Sequence, residues 1–98
     1  MIRHTVLLTF DGVEESLVQT VIDELERLPG LIPEIRSYSV GRDLGLGPGT
    51  ATLVIAADFD SVDGYETYSG HPEHVRVLDD HIRPHVTALT RAQIELDG

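Results

Sequence analysis

Strand-like alternation with apolar side chains on both faces constrains the fold of this chain more than any other feature. In residues 4–10, Val6 and Leu8 share one face of a strand, and Leu7 is apolar on the opposite face. Residues 51–59 repeat the pattern, because apolar side chains occur there at odd and even positions alike. A sheet that is partly apolar on both faces has to be covered on both sides.

A helical pattern follows the first strand. Leucine and valine recur at helical spacing and predict one amphipathic helix of about four turns. The apolar stripe consists of Leu17, Val21, Leu25 and Leu28. Asp11 and Glu14 form a capping-box pattern at the start of this helix. Pro29-Gly30 and Pro33 are expected to end it, because proline cannot continue the helical hydrogen-bond ladder.

A second helical segment begins after the third strand, with Asp60 or Ser61 as its expected cap. Gly70 interrupts the segment. His71 is then expected to cap a new turn that starts at Pro72, the helical position at which proline is well tolerated. The buried stripe of this second part consists of Val75, Leu78 and Ile82.

Strands expected over residues 35–41 and 86–96 complete the element order βαββαβ. This order predicts a ferredoxin-like α+β fold, in which both helices cover one face of an antiparallel four-stranded sheet. Because the other face is also partly apolar, we expect it to pack on a second copy of the chain about a two-fold axis. The predicted assembly is a homodimer through the open sheet face, a dimeric α+β barrel.

The composition limits the classes of partner. The 98 residues predict a single domain, 1–98, and the formal net charge is −10, with seven arginines scattered from Arg3 to Arg91. This charge favours neither nucleic acid nor an anionic membrane surface as a partner. The absence of cysteine favours a cytoplasmic location. No stretch approaches the ~20 apolar residues of a membrane-spanning helix, and the first residues show no apolar signal sequence.

Several short motifs occur in a characteristic order along nearly the whole chain. They are Arg3-His4-Thr5-Val6-Leu7-Leu8-Thr9-Phe10, Pro29-Gly30, Val40-Gly41-Arg42-Asp43, Phe59-Asp60-Ser61 and Tyr68-Ser69-Gly70-His71-Pro72-Glu73-His74-Val75. The most specific is Tyr-x-x-His-Pro-x-His, reinforced by the histidine of the first strand. Together these motifs resemble those of Dabb proteins, the stress-responsive A/B barrel family.

The resemblance implies a dimeric α+β barrel in a family most of whose members have no assigned activity. A plant relative, olivetolic acid cyclase, performs an aldol cyclisation of a linear polyketide without a cofactor. Its strand-one histidine falls on His4, its tyrosine on Tyr68 and its helix histidine on His74. Its strand-three histidine falls near Leu53, so the polar lining of a cyclase pocket is only partly present in this chain.

The residues themselves suggest chemistry at three positions, His4, Tyr68 and His74. Burial among apolar neighbours keeps a histidine such as His4 neutral, which suits a general base near pH 7. His74 lies one helical turn after His71 and can face the same cavity, and Tyr68 could donate its hydroxyl to an enolate or carbonyl oxygen. Alternatively, these polar atoms are satisfied within an ordinary core, and His71 has a structural role as a cap.

Neither a metal site nor a phosphate site is expected. His71 and His74 with His4 and Asp79 or Asp80 could be drawn as metal ligands, and His81 and His85 have i,i+4 spacing. However, Pro84 separates that second pair and spoils a shared helical face. The glycine-rich residues 45–49 lack the Gly-Lys-Ser/Thr ending of a phosphate loop and are interpreted as a flexible rim loop.

Two classes of function follow. The first is a cofactor-free enzyme that binds or converts a small hydrophobic carbonyl or polyketide-like compound, with His4 or His74 as the base and Tyr68 orienting the oxyanion. The second is a non-catalytic structural or ligand-binding stress-response dimer, which an apolar residue at Leu53 favours. Cofactor-independent monooxygenases and haem-degrading proteins of similar fold match the Tyr68-to-His74 motif less well.

Overall fold

A computed structural model describes residues 1–96 of the chain. The strands are β1 (Ile2–Thr9), β2 (Ile35–Arg42), β3 (Leu53–Phe59) and β4 (Ala88–Glu95). The helices are α1 (Glu15–Glu26), α2 (Leu28–Leu31), α3 (Val62–Gly70) and α4 (Pro72–Val77), and a π-helical turn, Leu78–Ile82, continues from α4. The sheet is antiparallel with the order β2-β3-β1-β4. This is the predicted ferredoxin-like α+β fold.

The register of the central strands separates the two faces of the sheet. His4 lies opposite Ala57 of β3 and Gln93 of β4, and the alternate residues Val6 and Leu8 are buried with it under the helices. Leu7 points to the other face and is 40% exposed. The helix-covered face therefore contains the core, while the open face has exposed apolar side chains.

The last strand contributes different chemistry to the two faces. Register with β1 places Thr90 opposite Leu7 and Ile94 opposite Arg3, so the alternating apolar residues of β4 belong to the open face. Ile94 is 57% exposed. The helix-covered side of this edge strand instead carries Arg91 and Gln93, of which Arg91 lines a cavity on that side.

A part-buried ion pair joins three strands near one end of the open face. Arg3 donates from Nε and Nη2 to the two carboxylate oxygens of Asp58, at 2.8 and 3.0 Å. The hydroxyl of Ser37 donates to the same carboxylate at 2.7 Å. The Arg3 guanidinium is the main cause of a lowered pKa for Asp58, which keeps this carboxylate ionised.

The start of α1 differs from the predicted capping box. The helix begins at Glu15, and its N-cap residue Glu14 accepts no side-chain capping bond. The chain turns at Gly12, which has a φ of 68°, and the Asp11 carboxylate accepts a hydrogen bond from the Thr87 hydroxyl at 3.3 Å. The capping-box prediction is wrong because the Asp11 carboxylate binds the distant Thr87 instead of capping the helix.

The end of the first helix also differs. The regular helix α1 ends at Glu26, and the Pro29-Gly30 segment, expected to stop the helix, lies inside the short α2 turn. Proline is tolerated there because it lies in the first turn, where its missing N–H has no helical partner. Leu28 is fully buried and anchors this turn to the core.

The second helical segment begins and breaks where the sequence predicts. The Ser61 hydroxyl accepts a hydrogen bond from the Gly64 backbone N–H at 3.2 Å and caps α3. His71 is extended, and its Nδ1 accepts a bond from the Glu73 N–H at 3.1 Å, which caps α4 ahead of Pro72. Within residues 1–96, no helix has the length and apolar character needed to cross a membrane.

Candidate functional site

A small cavity lies between the helix-covered face of the sheet and the segment from α3 to the π-helical turn. Its volume is about 30 Å³, room for one or two water molecules. Its apolar walls include Val6, Leu8, Leu25, Ile55 and Ile82, and its polar lining includes His4, Tyr65, Tyr68, Ser69, His74 and Arg91. The three residues singled out in the sequence therefore border one cavity.

The fold brings these three side chains together from distant parts of the chain. His4 comes from β1, Tyr68 from the last turn of α3 and His74 from α4. The Tyr68 ring lies 4.3 Å from the His74 ring and 6.2 Å from the His4 ring, measured between centroids. The break at His71 is what makes this possible, because the chain changes direction there between Tyr68 and His74.

His4 is neutral and has a defined tautomer. Only 4% of the residue is exposed, and burial, with smaller contributions from His74 and Arg91, lowers its pKa to about 4. The side-chain nitrogen of Gln93 lies 2.8 Å from Nδ1 and can only donate to it. Nδ1 is thus an acceptor, and the single proton of the ring is on Nε2.

His74 has the opposite tautomer. Its Nδ1 donates to the Ser69 backbone carbonyl at 2.9 Å, so the lone pair of the neutral ring is on Nε2. Burial lowers the pKa of His74, partly opposed by the Ser69 bond; the positive charges of Arg83 and Arg91 and the nearby His71 lower it further. An uncharged imidazole with a free Nε2 lone pair is a form in which histidine can accept a proton.

Tyr68 belongs to an aromatic cluster behind the two histidines. The residue is 2% exposed, and its ring lies 5.1 Å from Phe59 and 6.5 Å from Tyr38 between centroids. Burial raises the pKa of Tyr68, so its hydroxyl keeps its proton over the physiological pH range. Tyr65, whose ring lies 4.9 Å from that of His4, completes the cluster.

The Tyr38 hydroxyl is buried and forms no hydrogen bond to the described part of the chain. Burial is the main cause of a raised pKa for Tyr38, and the neighbouring Tyr68 raises it further. The Tyr38 hydroxyl thus lies beside the Tyr68 side chain without a hydrogen bond of ordinary geometry.

Sequence reasoning missed several polar residues of the site. Gln93 and Arg91 lie on β4, on the face opposite its apolar alternation, and only the pairing register shows that they face His4 and Val6. Tyr65 lies one helical turn before Tyr68, and this i,i+3 spacing was a signal that could have found it.

The third strand contributes only apolar surface to the cavity. Leu53, the position that the resemblance aligns near a histidine, is fully buried opposite Leu8 and is not part of the cavity wall. Ile55 lines the cavity instead. The polar groups around this cavity therefore come from β1, β4 and the helical segment.

The remaining histidines lie elsewhere. His81 and His85 border an open groove of about 550 Å³ beside the start of α1, and His81 Nε2 lies 4.0 Å from a Glu24 carboxylate oxygen. Among residues 1–96, no group of three or more histidine, aspartate or glutamate side chains is placed to hold a metal ion.

Solved structures with the same architecture were found in bacteria and plants. A dimeric ferredoxin-like protein of unknown function from Thermobifida fusca is 38% identical, with a TM-score of 0.88, over 97% of this chain and 90% of its own. A protein of Arabidopsis thaliana is 22% identical, with a TM-score of 0.84, over 100% of this chain and 97% of its own.

A hydroxynitrile lyase from Passiflora edulis is 17% identical, with a TM-score of 0.85, over 98% of this chain and 93% of its own. At this identity the likeness shows the shared fold alone. No curated protein sequence matches the chain. The model of the stress responsive A/B barrel domain, Dabb, matches residues 2–96, and the chain therefore belongs to the Dabb family.

Proposed function

We propose that this Dabb protein binds a small carbonyl compound in the cavity and transfers a proton on the carbon next to the carbonyl, without a cofactor. One observation supports this proposal above all: the two imidazoles that line the cavity have opposite tautomers, and burial lowers the pKa of each, which favours the neutral ring. His74 offers a lone pair at Nε2, and His4 offers an N–H. A general base and a hydrogen-bond donor are the two groups that enolisation requires.

The proposed step moves one proton and two electron pairs, the C–H pair and the π pair of the carbonyl, which moves onto the oxygen. Nε2 of His74 takes a proton from the α-carbon, and the C–H electron pair moves into a C=C bond while the carbonyl becomes an enolate. The enolate oxygen accepts hydrogen bonds from Nε2–H of His4 and the Tyr68 hydroxyl. The α-carbon then either takes the proton back from His74 or attacks a second carbonyl of the substrate, as in an aldol reaction, and the oxygen of that second carbonyl takes the proton from His74.

The cavity volume favours a short substrate. Pockets for drug-sized ligands measure several hundred Å³, whereas this cavity holds about 30 Å³. A polyketide-like chain does not fit this space without movement of α3 or α4. Of the two substrate classes expected from the sequence, the small carbonyl compound is the better match.

Hydrogen–deuterium exchange at the α-carbon tests this function directly. A small ketone such as 2,5-hexanedione, incubated in D₂O at pH 7, is expected to exchange its α-protons faster with the protein than in buffer, as NMR would measure. His74→Asn should remove about 10²-fold or more of the acceleration, the usual contribution of a general base. His85→Asn, a change at an exposed histidine outside the cavity, serves as the matched control. Equal exchange with both variants would exclude His74 as the base.

A homodimer through the open sheet face forms part of the proposal. The open face exposes Leu7 and Ile94, and an apolar face of this kind is better covered by a second copy than by water. The Thermobifida fusca relative is described as dimeric, which supports the same assembly here. A single domain over residues 1–98 and a cytoplasmic location, as expected from the sequence, belong to the same proposal.

The assembly is tested by the mass in solution. We expect a dimer at micromolar concentration and a monomer for Leu7→Asp, because a carboxylate in the centre of this face would be buried without a partner. Thr20→Asp, on the exposed surface of α1, is the control for an added charge. A wild-type protein that is monomeric at these concentrations would refute the assembly.

A second candidate function is a ligand-binding or structural dimer without catalysis. The small cavity and its apolar third strand favour this alternative. If a small ketone shifts the ring resonances of His4 and His74 but no exchange is accelerated, the protein is a binding module. If neither effect occurs, the purely structural role is favoured.

A further inference from the structure

Arg91 differs from every other arginine of the chain in its contacts. The six others all form an ion pair: Arg3 with Asp58, Arg27 with Glu24, Arg36 with Asp60, Arg42 with Glu15, Arg76 with Glu24 and Glu73, and Arg83 with Asp79. Within residues 1–96, Arg91 forms neither an ion pair nor a side-chain hydrogen bond. The chain has 17 acidic residues for seven basic ones, so a shortage of carboxylates does not explain this difference.

The position of Arg91 connects it to the cavity. It lies on edge strand β4 directly opposite Val6, on the same side as Gln93, and it lines the cavity together with His4 and His74. Arg91 is exposed whereas Val6 and His4 are buried, so the cavity reaches solvent beside the arginine. The guanidinium therefore stands at the mouth of the cavity.

Within residues 1–96, the mouth of the cavity has no acidic group. The described residues that line the cavity include no aspartate or glutamate, and burial lowers the pKa of both histidines, which disfavours their charged forms. Arg91 is thus the charged group of the site, and its donors have no partner in the part of the chain that the structure describes. A guanidinium presents a planar set of N–H donors that matches the two oxygens of a carboxylate.

We propose that Arg91 binds a carboxylate of the substrate, which assigns short oxo acids as the substrate class. This inference rests on the proposed function, because it takes the carbonyl end of the compound to lie between His4 and His74. The cavity of about 30 Å³ accepts only that small end, and the carboxylate stays at the mouth. Arg91 then selects the substrate and directs which end enters, while His74 performs the proton transfer.

Two probes of similar shape distinguish the contribution of a carboxylate to binding from that of the carbonyl. 4-Oxopentanoate and 2,5-hexanedione both have a methyl ketone, and they differ in having a carboxylate or a second acetyl group at the far end. The ring resonances of His4 and His74 in NMR titrations report occupancy of the cavity for both probes. We expect 4-oxopentanoate to bind about tenfold more tightly than the dione, the advantage of a charged hydrogen-bonded contact at a partly exposed site.

Two variants assign this preference to Arg91. Arg91→Gln is expected to abolish the preference for 4-oxopentanoate by weakening its binding about tenfold, a larger loss than the variant causes for the dione. Arg91→Lys, which keeps the charge, should retain part of the preference. Arg36→Gln removes one positive charge from an exposed ion pair away from the cavity and is expected to behave as the wild type. Thermal melting checks that each variant is folded.

The outcomes separate this inference from the function on which it rests. If both probes shift His4 and His74 with equal affinity in the wild type, the assignment to Arg91 is overturned and the carbonyl site stands. If the preference persists in Arg91→Gln, another group binds the carboxylate and the assignment is again overturned. If neither probe moves the two histidine resonances, both the carbonyl site and its carboxylate contact are refuted.

Discussion

Protonation of His4 is expected to destabilise the fold as the pH falls below neutral. The ring is buried in the folded chain, where its pKa is lowered from 6.5 to about 4, whereas the unfolded chain has no such environment. A depressed pKa means that the unfolded state binds the proton first. The stability due to neutral His4 is therefore complete above pH 6.5 and is lost progressively as the pH falls towards 4.

The size of the effect follows from these two pKa values. Between pH 7 and pH 5, the linkage relation gives a loss of roughly 2 kcal/mol in the free energy of unfolding. The His4 ring borders a cavity that admits water, and this screening reduces the expected loss to about 1–2 kcal/mol. His74 also has a lowered pKa and adds a loss in the same direction, so the contribution of His4 has to be measured by difference.

The difference is obtained from urea unfolding at pH 7 and pH 5 for the wild type and for His4→Asn. Asparagine places an acceptor oxygen near the position of Nδ1, where it can keep the Gln93 bond, and does not titrate. Protein concentration is held constant because a dimer is proposed. The variant should lose about 1–2 kcal/mol less than the wild type over this interval, and His85→Asn should match the wild type. Equal losses for wild type and His4→Asn would refute the buried neutral histidine.

Two further predictions concern polar groups whose hydrogen bonding differs. Tyr38→Phe is expected to raise the free energy of unfolding by about 1 kcal/mol, because the buried hydroxyl has no partner within residues 1–96; destabilisation in urea unfolding would show that the hydroxyl is hydrogen-bonded. Asp58→Asn should lower the free energy of unfolding by about 1–3 kcal/mol, since Arg3 loses a charged, part-buried acceptor. Asp79→Asn breaks a more exposed ion pair and should cost less than about 1 kcal/mol, so equal effects at both sites would contradict the prediction.

The order of elements along the chain and the second helical segment could be predicted from the sequence because their determinants are local. Alternation identifies a strand, and Ser61, His71 and Pro72 mark helix starts by the chemistry of their own side chains. The start of α1 could not be predicted in this way. Asp11 has a suitable side chain for a cap, but its hydrogen bond to Thr87 depends on the closure of β1 against the segment before β4.

The residues of the candidate site also fall into two groups, those that the sequence could predict and those that it could not. His4, Tyr68 and His74 are recognisable from the family motif, and their meeting follows from the βαββαβ order. Arg91 and Gln93 carry no motif, and the apolar alternation of β4 draws attention to its other face. The cavity volume depends on the packing of side chains from seven elements, and the spacing of residues along the chain contains no information on this packing.

The tautomer of His74 is fixed by a hydrogen bond to a residue nearby in the sequence, and that of His4 by a bond to a distant residue. Different parts of the fold therefore position the proposed base and the proposed donor. His74 receives its tautomer from the Ser69 carbonyl, five residues earlier, so folding of α3 and α4 alone is sufficient to place its lone pair at Nε2. His4 receives its tautomer from Gln93, 89 residues away, which faces it only if β4 pairs with β1 in the observed register. A slip of β4 by one residue would turn both Gln93 and Arg91 to the open face. Pairing of the edge strand β4 therefore positions both the N–H donor of His4 and the proposed carboxylate contact at Arg91. The position of the proposed base, His74, depends on the helical segment.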